Sequence, residues 1–214
     1  MKLKPETFAT LNQSFFSLNK FTKHFLHTMQ KQLVISTLLA LFCFEAANAQ
    51  KMFTRDAVVH FNATAPNSPE KIEAVAKSNS CVMDQSTGNL EMAVLLKGFQ
   101  FERALMQEHF NENYVESSKY PKATFKGKID NLSSVNFTKD GTYKTTVTGT
   151  MSLHGVTKNM SAPVVFVIKS GKLTSTADFS LAMADYNIDI PSLVSDKINK
   201  TATIKVEAAL EKLK

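Results

Sequence analysis

Strict alternation of apolar and polar residues most constrains what this chain can fold into. It runs through residues 122–129, 143–153, 172–183 and 200–210, and a weaker version covers residues 55–63. Successive side chains of a β-strand point to opposite faces, so each segment predicts a strand with one apolar face and one polar face. The pattern therefore indicates an all-β domain.

The spacing of these segments favours antiparallel pairing. Between Pro121 and Pro191 the strands recur about every ten to twelve residues, with no helix-length gap. Residues 140–141 (Asp-Gly) are the strongest hairpin signal and predict a two-residue type I′ turn. Residues 170–171 (Ser-Gly) and 87–88 (Thr-Gly) predict turns less strongly. An antiparallel sandwich or barrel follows.

Two further segments are apolar almost throughout, residues 90–101 and 162–169. Such strands are usually covered on both faces, so we expect a helix or loop outside the sheet. Residues 101–114 have the helical spacing to provide this cover, and residues 190–198 predict one more helical turn.

Residues 68–78 (SPEKIEAVAKS) fit two structures. Ser68 followed by Pro69 predicts a capped helix. The same segment could be a strand with Ile72, Ala74 and Ala76 facing inward. Periodicity alone does not decide between them.

The segment from Met29 has the pattern of a secretory signal peptide. Lys31 is followed by an apolar run over residues 33–44, and Ala-Asn-Ala at 47–49 precedes Gln50. The apolar run is shorter than the ~20 residues that span a bilayer. We expect residues 29–49 to be removed and residues 50–214 to form one domain.

Two alternatives concern the amino-terminal region. Cys43 could be a lipoprotein site, but the bulky Phe42 before it disfavours this. Residues 1–28 do not fit a signal peptide of ordinary length. Either translation starts at Met29, which we favour, or the leader is unusually long.

Charge and cysteine content exclude several functions. Residues 1–49 hold five of the 25 Lys and Arg residues and two of the 19 Asp and Glu residues, so the net charge falls from +6 to +3 without them. No basic block with interleaved aromatic residues remains, which argues against nucleic-acid binding. One cysteine, Cys81, remains after residue 49. It cannot form an internal disulfide or a cysteine-based zinc site.

Residues 107–127 are the candidate for chemistry, because Glu108, His109, Glu112 and Glu116 crowd into them. A zinc site needs further ligands, and no His-Glu-x-x-His motif occurs. No Gly-x-Ser-x-Gly nucleophile motif occurs either. We expect a solvated helix face and no metal site, with Cys81 as a packed small hydrophobe.

Three motifs together resemble the YceI family of secreted lipid-binding proteins. They are His-Phe-Asn at 109–111, Glu-Ser-x-Lys-Tyr-Pro-x-Ala-Thr-Phe at 116–125 and Leu-His-Gly-Val-Thr-Lys at 153–158. The resemblance covers nearly all of residues 52–212. It implies an eight-stranded antiparallel lipocalin-like barrel with a short helical flap and an elongated cavity. It also implies that residues 68–78 form a strand.

The resemblance further implies non-catalytic binding of a polyisoprenoid, such as an isoprenoid quinone or polyprenyl lipid, in a bacterial periplasm. Small inward residues, Gly149, Ala162, Ala177 and Ala202, would leave room for a slender ligand. The cavity-lining residues that we predict are Phe61, Val94, Phe99, Phe101, Leu105, Phe110, Phe125, Val147, Met151, Phe166, Phe179, Met183 and Ile204.

We expect no required cofactor, no nucleic-acid partner, no stable membrane insertion of the mature chain, and a monomer or homodimer. The alternative from another class is an enzyme or stress-response factor that acts on a small amphiphile in the same cavity. A buried acid or histidine with a shifted pKa would favour it, and the candidates are His109 and Asp185.

Overall fold

The computed structural model describes residues 51–213. The strands are β1 (Lys51–Thr64), β2 (Glu73–Asp84), β3 (Asn89–Leu95), β4 (Phe99–Phe101), β5 (Lys122–Ile129), β6 (Gly141–Leu153), β7 (Val156–Lys169), β8 (Lys172–Ala182) and β9 (Ile198–Lys212). One short helix, α1 (Ala104–His109), continues into a π-helical turn over Phe110–Tyr114. Short 3-10 turns occupy Leu96–Gly98, Leu132–Ser134, Met183–Tyr186 and Ser192–Val194.

All of the strand pairings are antiparallel, and the sheet closes on itself. Neighbours follow the chain from β5 to β9, and β1 then pairs with both β9 and β2. β3 and β4 both pair with β2, one after the other, because the turn at Leu96–Gly98 interrupts what would be a single strand. The result is the predicted eight-stranded lipocalin-like barrel with one short helix.

Burial follows the alternation seen in the sequence. In β5, Ala123 and Ile129 are buried while Lys122, Lys126 and Lys128 are exposed. The same alternation places the apolar side chains of β6, β8 and β9 inside. The interior therefore holds the apolar face of every long strand, as expected for a closed sheet.

The ambiguous residues 68–78 are resolved in favour of a strand. β2 begins at Glu73, and Ala74 and Ala76 are among the most buried residues. Ala74 pairs with Phe61 of β1 on one side and Phe101 of β4 on the other. Pairing on both sides stabilises this segment more than a short isolated helix could be stabilised.

The residues with the strongest turn signal in the sequence, Asp140 and Gly141, do not form a tight turn. Gly141 begins β6, and residues 130–140 form a longer connection from β5. The Asp140 carboxylate instead accepts hydrogen bonds at 3.0 and 2.9 Å from the backbone N–H of Ser170. Ser170 and Gly171, with φ of 52° and 74°, form the two-residue hairpin between β7 and β8. The type I′ prediction is therefore wrong at residues 140–141.

The predicted helix forms, but it does not cover the outside of the apolar strands. Leu95 and Val167, which point away from the interior, are 50% and 38% exposed. Phe110, at the end of α1, instead packs on phenylalanine rings of the barrel interior. The helix therefore covers one end of the barrel, and the apolar outer positions of β3 and β7 face solvent. No helix within residues 51–213 has the length and apolar character needed to cross a membrane.

Candidate functional site: an apolar cavity with a polar mouth

The two ends of the barrel differ. At the end where β5 leads into β6, large side chains fill the interior, among them Met83, Ile129 and Phe166, all at most 1% exposed. Residues 130–140 cross this end and place Phe137 against Phe166, with ring centroids 5.9 Å apart. We call this the closed end.

A cavity of about 440 Å³ occupies the rest of the interior. Pockets that bind small molecules usually measure ~300–1,000 Å³, so this cavity lies within their range. It extends from Val147, Val164 and Ala208 toward the end that carries α1. There its lining includes the exposed residues Arg103 and Leu105, so it reaches solvent. We call this opening the mouth.

Four phenylalanines surround the cavity near the mouth. The Phe110 ring centroid lies 5.6 Å from that of Phe61, 5.4 Å from Phe99 and 5.0 Å from Phe101. The three partners come from β1 and β4, whereas Phe110 is carried in by the π-helical turn. Edge-to-face and tilted contacts of this kind stabilise an aromatic cluster beyond simple burial. Phe110 thus fastens the helical segment to the barrel wall.

Nearly all of the predicted cavity residues line this cavity. The structure places there Phe61, Val94, Phe99, Phe101, Leu105, Phe110, Phe125, Val147, Met151, Phe179, Met183 and Ile204. Phe166 lies outside the lining, because it belongs to the packed closed end. That these side chains contact a ligand stays a prediction.

The small inward residues play different parts. Ala162 and Ala177 line the cavity. Gly149 is not part of the lining. A Cβ at this position would collide with the backbone of Lys126 and Gly127 on β5. Gly149 therefore permits close approach of two strands, and it does not enlarge the cavity as the sequence had suggested.

Three charged residues line the mouth among the described residues of the cavity wall. Glu70 lies between β1 and β2, Arg103 directly before α1, and Lys197 directly before β9. The Glu70 carboxylate is 2.5 Å from Arg103 Nη1 and 3.5 Å from Lys197 Nζ. Three segments distant in sequence thus meet in one ion-pair cluster, and we call these residues the mouth triad. Sequence reasoning missed the triad, because each residue lies in a loop and none belongs to a motif.

The motif residues Glu116 and His154 meet outside the cavity lining. His154 Nε2 is 2.8 Å from Glu116 Oε2, and its Nδ1 is 2.9 Å from the backbone oxygen of Tyr186. Tyr120 packs edge-on against the imidazole of His154, with ring centroids 4.8 Å apart. These contacts hold the segment after α1 against the β6–β7 hairpin. The motif residues Glu116 and His154 therefore have a structural role beside the mouth.

Neither acid–base candidate is buried in the cavity. His109 is exposed at the mouth. Asp185 is half exposed, lies outside the lining and pairs with Lys158 at 2.6 Å. Within residues 51–213 no three His, Cys, Asp or Glu side chains come together as metal ligands would. The two residues predicted as candidates for acid–base chemistry therefore lie outside the buried part of the cavity.

Cys81 lines the deeper part of the cavity and is buried. Burial raises the pKa of its thiol from 9.0 to about 12, because the thiolate would lose its hydration. The thiol therefore stays protonated at physiological pH, which agrees with its prediction as a packed hydrophobe.

A closed antiparallel barrel with an apolar cavity and a helix-covered mouth defines a lipocalin-like class of fold. The sequence profile of the YceI-like domain matches residues 44–210 of this chain. The protein belongs to the YceI-like domain family.

Two solved structures share the fold. One is a polyisoprenoid binding domain from Saccharophagus degradans implicated in plant cell wall breakdown, with a TM-score of 0.66 and 14% identity, over 77% of this chain and 99% of the other. The second is Burkholderia cenocepacia BcnA, with a TM-score of 0.59 and 16% identity, over 72% of this chain and 96% of the other. A search of curated proteins finds no match.

Proposed function

We propose that this protein binds a long apolar lipid without chemical conversion, and that the lipid is a polyisoprenoid such as an isoprenoid quinone or a polyprenyl chain. The observation that carries the proposal is the apolar cavity, which runs from the packed closed end to an exposed mouth. The family and the name of the Saccharophagus domain support the ligand class.

The energetics suit a chain-like ligand. Each buried methylene contributes about 0.8 kcal/mol of favourable binding free energy. About ten of them therefore supply the ~8 kcal/mol that corresponds to micromolar binding. Ordering the chain consumes part of this energy, and longer isoprenoids provide the surplus for submicromolar affinity. Binding of an uncharged isoprenoid should not respond to salt, because it depends on apolar burial.

Secretion is a further part of the proposal. The predicted signal peptide over residues 29–49 lies outside the described residues, and its pattern supports export to a bacterial periplasm. In that compartment the barrel would store or carry a lipid between membranes.

The test is a titration of wild type and Ala177→Phe with a fluorescent isoprenoid alcohol. Ala177 lines the cavity, so a phenyl ring there fills space that the ligand needs. Ser180→Phe is the matched control, because Ser180 is exposed on the same strand. We expect weaker binding for Ala177→Phe alone, with circular dichroism confirming that both variants fold. Unchanged affinity in Ala177→Phe would place the lipid elsewhere and refute the proposal.

A further inference from the structure

Strand pairing does not continue along the whole wall of the barrel. β7 pairs with β6 along its full length, and β8 pairs with β9 on its other side. The pairing between β7 and β8, however, ends at Val164 and Ala177. Beyond this point, residues 156–163 of β7 and 178–182 of β8 are not paired with each other. We call these two facing stretches the seam.

A proline explains why the pairing ends there. The two-residue turn at residues 170–171 joins β7 to β8, and hydrogen-bonded pairs recur at every second residue from such a turn. The next such pair after Val165 and Thr176 would join Pro163 to Asp178. Proline has no N–H to donate to this pair, and it is found at the edges of sheets for that reason. The seam therefore consists of two strand edges that face each other.

The seam lies directly beside the cavity. Four apolar side chains on its two strands line the cavity, namely Met160, Ala162, Phe179 and Leu181. Ser161 and Ser180, which alternate with them along the strands, are exposed to solvent. Along the seam, one layer of side chains thus separates the cavity from solvent.

Side-chain contacts hold the seam at its end near the mouth. Lys158 Nζ lies 2.6 Å from Asp185 Oδ1, and His154 Nδ1 lies 2.9 Å from the backbone oxygen of Tyr186. The side chains of the ion pair are 44% and 55% exposed, and exposed ion pairs contribute little to stability. Opening the seam would therefore break few interactions. Opening a fully paired part of the wall would break a series of backbone hydrogen bonds.

A second strand edge, on β4, is covered by the helical segment. Gln107 of α1 accepts a hydrogen bond at 3.4 Å from the backbone N–H of Phe101, and the Phe110 ring packs on the Phe101 ring. Along the seam, by contrast, the outward residues Asn159 and Ala182 are exposed. No described segment covers the seam as α1 covers β4.

We infer that the seam is a side gate of the barrel, where β7 and β8 separate so that the apolar chain of the ligand enters and leaves the cavity through the wall. This inference rests on the proposed lipid binding. Pro163 keeps the gate free of backbone pairing, and the ion pair between Lys158 and Asp185 closes it. Passage through the mouth would require the helical segment to move, and Phe110 holds that segment in place.

A gate alters how fast a ligand exchanges and not how tightly it binds. The first test joins two cysteines across the seam, Ser161→Cys and Ser180→Cys, with a short bis-maleimide in a Cys43→Ser background. Cys81 is buried and should stay unlabelled. The control joins Val167→Cys to Thr174→Cys, an exposed pair that already lies within the β7–β8 pairing.

Stopped-flow measurements with the fluorescent isoprenoid alcohol report uptake and release. We expect the crosslink across the seam to slow both about tenfold or more, with the equilibrium affinity unchanged, because the gate can no longer open. The control crosslink should leave both rates unchanged. Equal rates in the two crosslinked proteins would overturn the inference while leaving the proposed function intact. Absence of binding to the wild-type protein would refute both.

Pro163→Thr tests why the seam is unpaired. The variant restores a backbone N–H opposite Asp178, so the pairing should extend and ligand release should slow several-fold. Pro66→Thr is the control, since Pro66 is an exposed proline in the loop between β1 and β2. Equal release rates for these two variants would refute the assigned role of Pro163.

Lys158→Gln tests the ion pair that closes the gate. Without the contact to Asp185, release should become several-fold faster while the affinity stays the same. Lys205→Gln is the matched control, because Lys205 forms an equally short ion pair with Glu207 on the fully paired strand β9. If Lys158→Gln releases the isoprenoid no faster than Lys205→Gln, the ion pair does not close the gate.

Discussion

Glu116 and His154 are 38 residues apart in sequence, yet Glu116 Oε2 lies 2.8 Å from His154 Nε2. The other ring nitrogen, Nδ1, faces the backbone oxygen of Tyr186, which can only accept a hydrogen bond. The tautomer with a proton on Nδ1 donates a hydrogen bond to this oxygen. This contact joins three chain segments at the mouth.

We predict that His154→Asn lowers the free energy of unfolding by about 1–3 kcal/mol, because it leaves hydrogen-bonding groups without their partner. Asparagine tolerates the left-handed backbone at this position, where φ is 50°. Ser170→Asn is the control at a second left-handed position, φ 52°, and should have little effect. Urea denaturation measures both. Equal stability of the two variants would show that the Glu116 contact contributes little.

Phe110→Ala should destabilise the protein by about 3–5 kcal/mol, the usual cost of removing a buried phenylalanine. It should also speed the release of bound isoprenoid, because the ring fastens the helical segment over the mouth. Leu105→Ala, on the same segment but 61% exposed, should change stability far less. Thermal denaturation and stopped-flow displacement report the two effects. A Phe110→Ala protein as stable as Leu105→Ala would contradict the prediction.

Gly149→Ala should lower the free energy of unfolding by about 1–3 kcal/mol, because the added methyl group overpacks the contact between β5 and β6. The methyl would meet the carbonyl oxygen of Lys126, which cannot move without disturbing the sheet. Gly98→Ala serves as control, since the nearest atom to its Cβ, on Leu95, is 3.9 Å away. Chemical denaturation measures the difference, and equal midpoints would refute the close approach of the two strands.

The Cys81 thiol should resist modification in the folded protein. With its pKa raised to about 12, almost none is thiolate at pH 8. In a Cys43→Ser background, a colorimetric thiol reagent should react slowly in buffer and at once in guanidinium chloride. The unfolded thiol loses its proton near pH 9 and the folded one near 12, so stability should fall as pH rises between those values. Rapid native labelling would contradict this.

The mature protein should begin at Gln50. Ala-Asn-Ala at residues 47–49 provides the small side chains that signal peptidase accepts. Intact-mass measurement of protein exported from a bacterial host should give the mass of residues 50–214. Retention of residues 1–49 would refute the signal peptide, and a diacylglycerol mass on Cys43 would support lipidation instead.

The sequence by itself determined which residues face the interior. Ala123, Phe125 and Ile129 could be assigned from alternation alone, because a closed sheet has one inside and side chains alternate strictly along each strand. The same reasoning assigned Phe179 and Met183 to the face that lines the cavity. Phe166 was also predicted to line the cavity but packs at the closed end, because the sequence does not tell how far along the barrel axis the cavity extends.

Only the tertiary structure decided how the ends of the barrel are built. Asp140 has the local chemistry of a turn residue, yet its carboxylate caps a different hairpin, because the connection over the closed end brings it to Ser170. Glu70, Arg103 and Lys197 carry no sequence signal as a group, and they meet because barrel closure brings β1, β4 and β9 to the same end. Local patterns act over a few residues, whereas contacts between loops depend on the path of the whole chain.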